Sequence, residues 1–387
     1  MAKEIQLTKL KKGTSNFSLI GRAKLNEFTF KTNMESSKED SDWVYSQMNL
    51  GVDCGEKYGV IYAELMGGYG TDRENVIYVH GKKSDGTDDF ENRFTVAWED
   101  RFDEEVLKEV GDMCFITVAL EEKNRKKFLS AYDAIEYIES VLEDGMVISV
   151  RGNLRWSIYN DNTQCKKEIN YIGLTKAEED KFKATFTQTI LLAKDAIGKF
   201  DKETMTIPIT CKIVEYFKNY NEHEVKTMLP IPKVFDMKID GSDKEKATKT
   251  LKVFKVSKDI TQLTVDGFFS RGEVSTIAVS EDDIPDDVME LIELEYITKE
   301  EVLEKMAFAN GAGNKNEKMY IKAPHIKFTG EDVKIPTVDK IAKAYTENDL
   351  DISLILKSLG KKDALDVALE NEEEDDDDND DDWLADL

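Results

Sequence analysis

Between residues 18 and 174 apolar positions alternate with polar ones in short runs separated by turn residues. A period of two predicts strands with one buried and one exposed face. The runs fall at 21–31, 43–53, 58–66, 75–82, 93–98, 114–121, 146–159 and 167–174, a spacing that predicts a β-barrel or sandwich. One stretch breaks the alternation. Phe128, Ala131, Tyr132, Ile135, Ile138 and Leu142 recur at three- and four-residue steps, which places them on one face of a helix just ahead of the strand at 146. Such a helix would plug one end of a small barrel.

Alternation stops in the charged stretch 175–183 and resumes with Phe186, Ile190 and Leu192, so a second domain is expected beyond it. Strand-like segments follow at 204–217, 234–239, 250–257, 262–270 and 274–280. Helical patterns come next: 284–295 has Pro285 near its first turn and acids early, and 299–308 stops before Asn310 and Gly311, as helix start and stop rules require. A strand at 319–328 and two short helical runs, 338–345 and 352–359, complete the pattern. The predicted fold class is mainly β with added helices (α+β). Its expected organisation is an N-terminal arm (1–17), a first barrel (18–175), a second barrel with a helical insert (184–330), short helices (331–369) and a tail (370–387).

The tail changes the charge picture. Residues 370–387 hold twelve carboxylates and no Lys or Arg, and end with Trp383, Leu384 and Leu387. Like charge at this density predicts disorder, hence a solvated acidic tail with a small apolar hook. The chain carries 79 acids against 53 bases, net −26, and subtracting the tail's twelve acids leaves the body at −14. Residues 1–13 contain no apolar run of signal-peptide length, and no stretch reaches the roughly 18 apolar residues of a membrane span. A soluble cytoplasmic protein with no membrane partner is expected. Cys54, Cys114, Cys165 and Cys211 lie 46 or more residues apart and form no C-x-x-C pair, so they read as reduced structural thiols rather than a zinc site or disulfide framework.

Catalytic patterns are missing. The phosphate-binding pattern G-x-x-x-x-G-K-[ST] is absent, the glycines at 67–70 and 311–313 lack a strand-loop-helix context, and His80, His223 and His325 stand apart in sequence. The chain is expected to be non-catalytic, with no cofactor and no metal site. The acidic tail lacks the loop geometry that fixes six to eight oxygens around calcium.

Several predicted strands are two-faced in a way that suits a binding surface. Val44, Met48, Leu50 and Val52 share one face of 43–53, leaving Trp43, Tyr45, Gln47 and Asn49 on the other. Tyr62 lies opposite Ile61, Ala63 and Leu65; Tyr78, His80 and Lys82 lie opposite Ile77 and Val79; Arg151, Asn153, Arg155 and Tyr159 lie opposite Gly152, Leu154, Trp156 and Ile158. Trp156 is read as core. Rings interleaved with cations suit single-stranded nucleic acid, because rings stack on any base and cations track phosphates. Two cationic segments add to this, Lys123 to Lys127 and the run from Lys244 to Lys258, where Lys252 and Phe254 stand in an expected strand approach. Phe268, Phe269 and Arg271 follow, and alternation sends one Phe inward and one outward. Any half-buried strand favours such residues, and lysine-rich loops serve solubility. The repetition over several strands is what favours binding.

The tail EEEDDDDNDDDWLADL, together with the segments ISVRGNLRWSIYND and ITQLTVDGFFSRG, in which a glycine after alternating apolar residues fits a sharply bent barrel strand, resembles the bacteriophage single-stranded DNA-binding proteins built on OB-folds. The resemblance implies an OB-fold body that binds single-stranded DNA without sequence preference in phage replication and recombination, in the host cytoplasm; the chain is long for the family, and its segment count predicts tandem OB-fold-like barrels rather than one. With that function, the two-faced strands and cationic segments predict DNA contacts by Trp43, Tyr45, Tyr62, Tyr78, Lys82, Arg151, Asn153, Arg155, Tyr159, Lys252, Phe254, Phe268 and Arg271. The resemblance also implies a tail (Asp380, Asp381, Asp382, Trp383, Leu384, Leu387) that competes with DNA and recruits replication or recombination proteins. Family tails finish with an aromatic residue at or next to the carboxyl end; here Trp383 lies four residues before Leu387, which moves the hook to Trp383 and Leu384. The competing expectation is an acidic interaction or chaperone-like protein whose tail binds a basic partner and whose body binds no nucleic acid.

Overall fold

The computed structural model describes residues 7–159, 162–202, 204–220, 223–239, 244–271, 317–330 and 334–360, with isolated positions between 284 and 292; the side chains of Tyr159 and of residues 244–248 lie outside that description. The first half of the chain forms β1 (Ser15–Lys24), β2 (Phe30–Glu35), β3 (Trp43–Asp53), β4 (Val60–Gly70), β5 (Val76–Lys82), β6 (Asp88–Ala97), α1 (Glu104–Glu109), β7 (Ile116–Glu121), β8 (Asn124–Phe128), α2 (Ala131–Val141), β9 (Val147–Tyr159) and β10 (Asn162–Leu174). Five of these strands close on themselves. β1 pairs with β3, β3 with β4, β4 with β10 in parallel, β10 with β9, and β9 back with β1. This order, with its single parallel pair, is a five-stranded OB-type barrel. Met48, Leu50, Val52, Ile61, Leu65, Ile148, Val150 and Leu154 fill its interior.

The second half repeats the pattern with β11 (Lys183–Leu192), β12 (Thr206–Tyr220), β13 (His223–Lys238), α3 (Lys244–Phe254), β14 (Ile260–Arg271) and β15 (Glu317–Pro324). β11 pairs with β12, β12 with β13, β13 with β15 in parallel, β15 with β14, and β14 back with β11. Each ring thus has a helix between its third and fourth strands, α2 in the first and α3 in the second. α2 starts where Ser130 Oγ accepts the Tyr132 N–H at 3.1 Å, an N-cap, and buries Ala134, Ile135 and Ile138. The chain continues through the hairpin β16 (Ile326–Thr329) and β17 (Ile335–Val338), then β18 (Lys340–Tyr345), which pairs with β14, and α4 (Ile352–Ser358).

The two rings are joined through their first strands. β1 and β11 pair antiparallel, and Phe17 lies opposite Phe186. Across each ring Phe17 faces Gly152 of β9 and Phe186 faces Gly267 of β14. A Cβ at Gly152 would meet Glu168 O at 1.9 Å, and one at Gly267 would meet the Phe186 ring at 2.2 Å. Only glycine lets these bent strands pass so close to backbone and ring. Around this join Phe186, Phe235, Phe269 and Trp156 form a ring cluster with centroid distances of 5.3–6.1 Å. Trp156 is core, as expected, and donates Nε1–H to Gln188 Oε1 at 3.0 Å. The adjoining buried carboxylate, Glu215, accepts from Lys12 Nζ at 2.5 and 2.6 Å and from the backbone N–H groups of Trp156 and Tyr216 at 3.3 and 3.1 Å. These three donors, making four contacts, offset the cost of burying the charge.

Between β4 and α2 the first ring carries an insert, the β5–β6 ribbon with α1 and a small core of Val79, Val96, Val110, Phe115 and Leu129. Arg101 ties it to α2, donating from Nε and Nη2 to the two Asp133 oxygens at 2.8 and 3.2 Å and from Nη1 to Trp98 O at 2.7 Å.

Three expectations need correction. Residues 250–254 of the run 250–257 are the end of helix α3, where Leu251 and Phe254 stand at a helical step of three, and residues 255–257 lie beyond the helix. The run 338–345 is strand rather than helix, paired with β14 through Ile341 and Tyr345. The cationic segment Lys123 to Lys127, read as a loop, is mostly strand: Arg125, Lys126 and Lys127 lie in β8, paired with β7. The expected strand at 274–280, the helix at 299–308, most of the helix at 284–295 and the tail lie outside the described residues. No helix among the described residues is long and apolar enough to cross a membrane.

Burial pushes the Cys54 and Cys165 thiols up to about 12 and raises those of Cys211 and Cys114 as well; all four are free. Thiols held this far above neutral pH are protonated and unreactive. We therefore expect Cys54, Cys165 and Cys211 to resist a disulfide reagent at pH 8 in the native protein and to react after denaturation; rapid native reaction of Cys54 or Cys211 would contradict this burial. Phe235→Ala empties the ring cluster and should cost about 3–5 kcal/mol, measured by urea unfolding.

Candidate nucleic-acid interface

The outer face of β3 carries Trp43, Tyr45, Gln47 and Asn49 while Met48, Leu50 and Val52 point into the core. Pairing with β4 sets Gln47 opposite Met66, Asn49 opposite Glu64 and Gly51 opposite Tyr62. Tyr62 therefore packs beside a residue without a side chain, where an added Cβ would stand 3.3 Å from its Cε1. Trp43 sits at the far end of the row, with the Arg73 guanidinium 5.7 Å from its ring centre.

Tyr62 lies at the join of the two barrels. The tight turn between β3 and β4 is closed by Gly59 N–H donating to Gly55 O at 2.7 Å, and Gly59 adopts φ +71°. That conformation favours glycine, and it brings the turn against β14, where Arg271 N–H donates to Tyr58 O at 2.9 Å. Three rings meet here, and a fourth, Tyr62, is joined to them through Arg271. Phe268 stacks on Tyr320 with centroids 5.2 Å apart and meets Tyr58 edge-on at 6.0 Å, and Arg271 lies 4.7 Å over Tyr62. Lys57 stands 5.1 Å above Tyr58, and Lys238 stands 4.8 Å above Tyr320. All four rings are half-buried, each with part of its surface open. The question of the two phenylalanines is settled: Phe269 is buried in the core and Phe268 faces outward.

The β9–β10 hairpin continues this surface. Arg151 lies 4.1 Å over Tyr171, Asn153 is half-buried on the same face, and Arg155 Nε donates to Glu168 Oε2 at 2.7 Å. Lys166 Nζ stands 3.1 Å from Glu64 Oε1. Tyr159 contributes backbone pairing to β9, but its side chain lies outside the description.

Other expected contacts fall elsewhere. Tyr78, 83% exposed, and Lys82, paired with Asp112 at 3.1 Å, belong to the β5–β6 insert. Lys252 is exposed on α3. Phe254 is a correction: it is fully buried in the core at the end of that helix and offers no surface to a ligand. The tail residues Asp380 to Leu387 lie outside the described residues. Sequence reasoning missed Lys57, Tyr58, Lys238 and Tyr320. Tyr320 alternates with buried Ile321, a signal present in the strand expected at 319–328.

One constellation resembles a nucleophile site. His80 Nε2 lies 2.7 Å from Asp88 Oδ1, and Cys114 Sγ lies 3.2 Å from His80 Nδ1. The sulfur is also 3.8 Å from Nε2, so it sits over the ring rather than on the in-plane axis that proton transfer from thiol to base requires. Burial raises the thiol further from its anion. Among the described residues no group of three or more His, Cys, Asp or Glu is placed to hold a metal.

A family model described as YorF matches residues 119–270, from the end of β7 into β14. No curated protein matches the chain. Among solved structures, the wild-type single-stranded DNA-binding protein from Thermus aquaticus is similar at 11% identity with a TM-score of 0.26, covering 71% of this chain and 100% of that one. A deletion mutant of the same protein gives the same identity and TM-score over 67% and 89% of the two chains.

Proposed function

We propose that the protein binds single-stranded DNA without sequence preference and without catalysing a reaction on it. The observation that carries this reading is the half-buried ring cluster Tyr58, Phe268 and Tyr320, with Tyr62 beside it and with Lys57, Lys238 and Arg271 over the rings, contributed by both barrels. In OB barrels the second and third strands present such a face, and stacking with flanking cations is the chemistry that tolerates every base. Trp43 and Tyr45 extend the track along β3, and Arg151, Asn153 and Arg155 lie along its other side. Tyr78 and Lys82 would meet only a strand long enough to reach the insert, and Lys252 lies on α3.

The setting proposed is phage replication or recombination, with the acidic tail competing for the cationic margins and recruiting replication proteins through Trp383 and Leu384. The body's charge of −14 opposes DNA at long range, so association depends on this local surface rather than on net charge.

Fluorescence anisotropy with labelled oligo-dT at two salt concentrations tests the reading. The full chain should bind, and a version ending at Leu369 should bind more tightly. Failure of both would discard it in favour of an acidic protein acting through its tail. Tyr62→Ala and Phe268→Ala should each weaken binding by about 1–3 kcal/mol. Arg155→Ala should weaken all sequences alike and reduce the salt slope by about 1; unchanged affinity would remove Arg155 from the track.

A further inference from the structure

The same outer face carries two carboxylates in its middle. Glu64 of β4 and Glu168 of β10 are register neighbours across the parallel pair, two residues along β4 from Tyr62. Like charges this close on neighbouring strands repel unless each is neutralised. Here each has one cation: Lys166 Nζ at 3.1 Å from Glu64 and Arg155 Nε at 2.7 Å from Glu168. The four side chains are between 30% and 58% exposed, so the pairs are open to solvent. Exposed pairs of this kind contribute little to stability. Nothing in the barrel's closure needs them, since β4, β9 and β10 are held by backbone pairing and by the apolar residues on their inner face.

We propose that Glu64 and Glu168 are built-in phosphate surrogates. A guanidinium recognises carboxylate and phosphate with the same donor geometry. In the unliganded protein the two carboxylates occupy the cations that a DNA backbone uses, and a bound strand must displace them. Once displaced, they stay beside the phosphates as like charges. Their effect is to cap affinity and to keep a bound strand releasable. This inference rests on the single-stranded DNA reading and adds to it which residues limit the affinity.

Two other roles predict different outcomes. If Glu168 serves to orient Arg155 for DNA, its removal weakens binding. If the pairs are surface decoration, removal changes nothing.

The test is anisotropy titration of oligo-dT with Glu64→Gln, Glu168→Gln and the double variant of the full chain, with thermal unfolding to confirm that each is folded. Each single change should tighten binding by about three- to tenfold at low salt, with a smaller gain at high salt where the repulsion is screened. The salt slope should steepen by up to about 1 for each carboxylate removed, because displaced carboxylates no longer gather cations that offset counterion release. Equal or weaker binding by both single variants, with the unsubstituted chain binding normally, overturns the surrogate role and leaves the DNA reading intact. Failure of the unsubstituted chain to bind overturns the DNA reading itself.

Discussion

The antiparallel pairing of β1 with β11 is the constraint on which the rest of the molecule depends. It places Phe17 opposite Phe186, and each ring is seated over a glycine of its own barrel's fourth strand. Because a Cβ at Gly152 or Gly267 would collide with backbone or ring, neither strand can shift without losing the seat. The join therefore fixes where β9 and β14 run. β9 carries Trp156 onto Phe235 of the second barrel, and β14 carries Arg271 onto the Tyr58 turn of the first. One hydrophobic core runs through both barrels as a result, and the buried Glu215 draws the chain preceding β1 into it through Lys12.

The aromatic surface follows from that join. Tyr58 and Tyr62 come from the first barrel and Phe268 and Tyr320 from the second, and their spacing is set by the backbone bond from Arg271 to Tyr58. A track built this way is preorganised: its rings are held by strand pairing and a tight glycine turn rather than by a mobile loop, so less ordering entropy opposes binding. On the proposed reading, the two barrels act as one platform because their rings interlock at the boundary.

Much of the fold was legible because period-two alternation is a direct record of burial. The strands at 43–53 and 146–159 appear where their patterns placed them, and the expected helix forms over Ala131–Val141, with Phe128 left at the end of β8. The glycines flagged in ISVRGNLRW and ITQLTVDGFF are the two that the barrels need, and they could be seen because glycine amid alternating apolar residues has few other uses. Short runs were ambiguous. In 250–257 Leu251, Val253 and Phe254 fit a strand and a helix alike over so few residues, and the burial of Phe254 at a helix end decides for the helix. The site was legible only one strand at a time. Trp43, Tyr45 and Tyr62 could be placed on an outer face, but Tyr58 meets Phe268 from across the chain, and only the closure of both rings brings them together.

The electrostatics of the face complete the argument. A body with a net charge of −14 does not draw polyanions from a distance. Of the cations beside the track, Arg155 and Lys166 are each matched by a carboxylate, and Lys57, Lys238 and Arg271 lie over rings. The ring quadrupole attracts a cation placed over its face, which holds these three cations at the aromatic surface. The surface is thus weighted toward stacking, with charge supplied in small, locally balanced amounts. On the proposed reading a protein built this way holds extended, unpaired DNA, whose bases are free to stack, and discriminates against duplex, whose bases are not. Stacking supplies that discrimination through geometry, which a uniformly cationic groove would not.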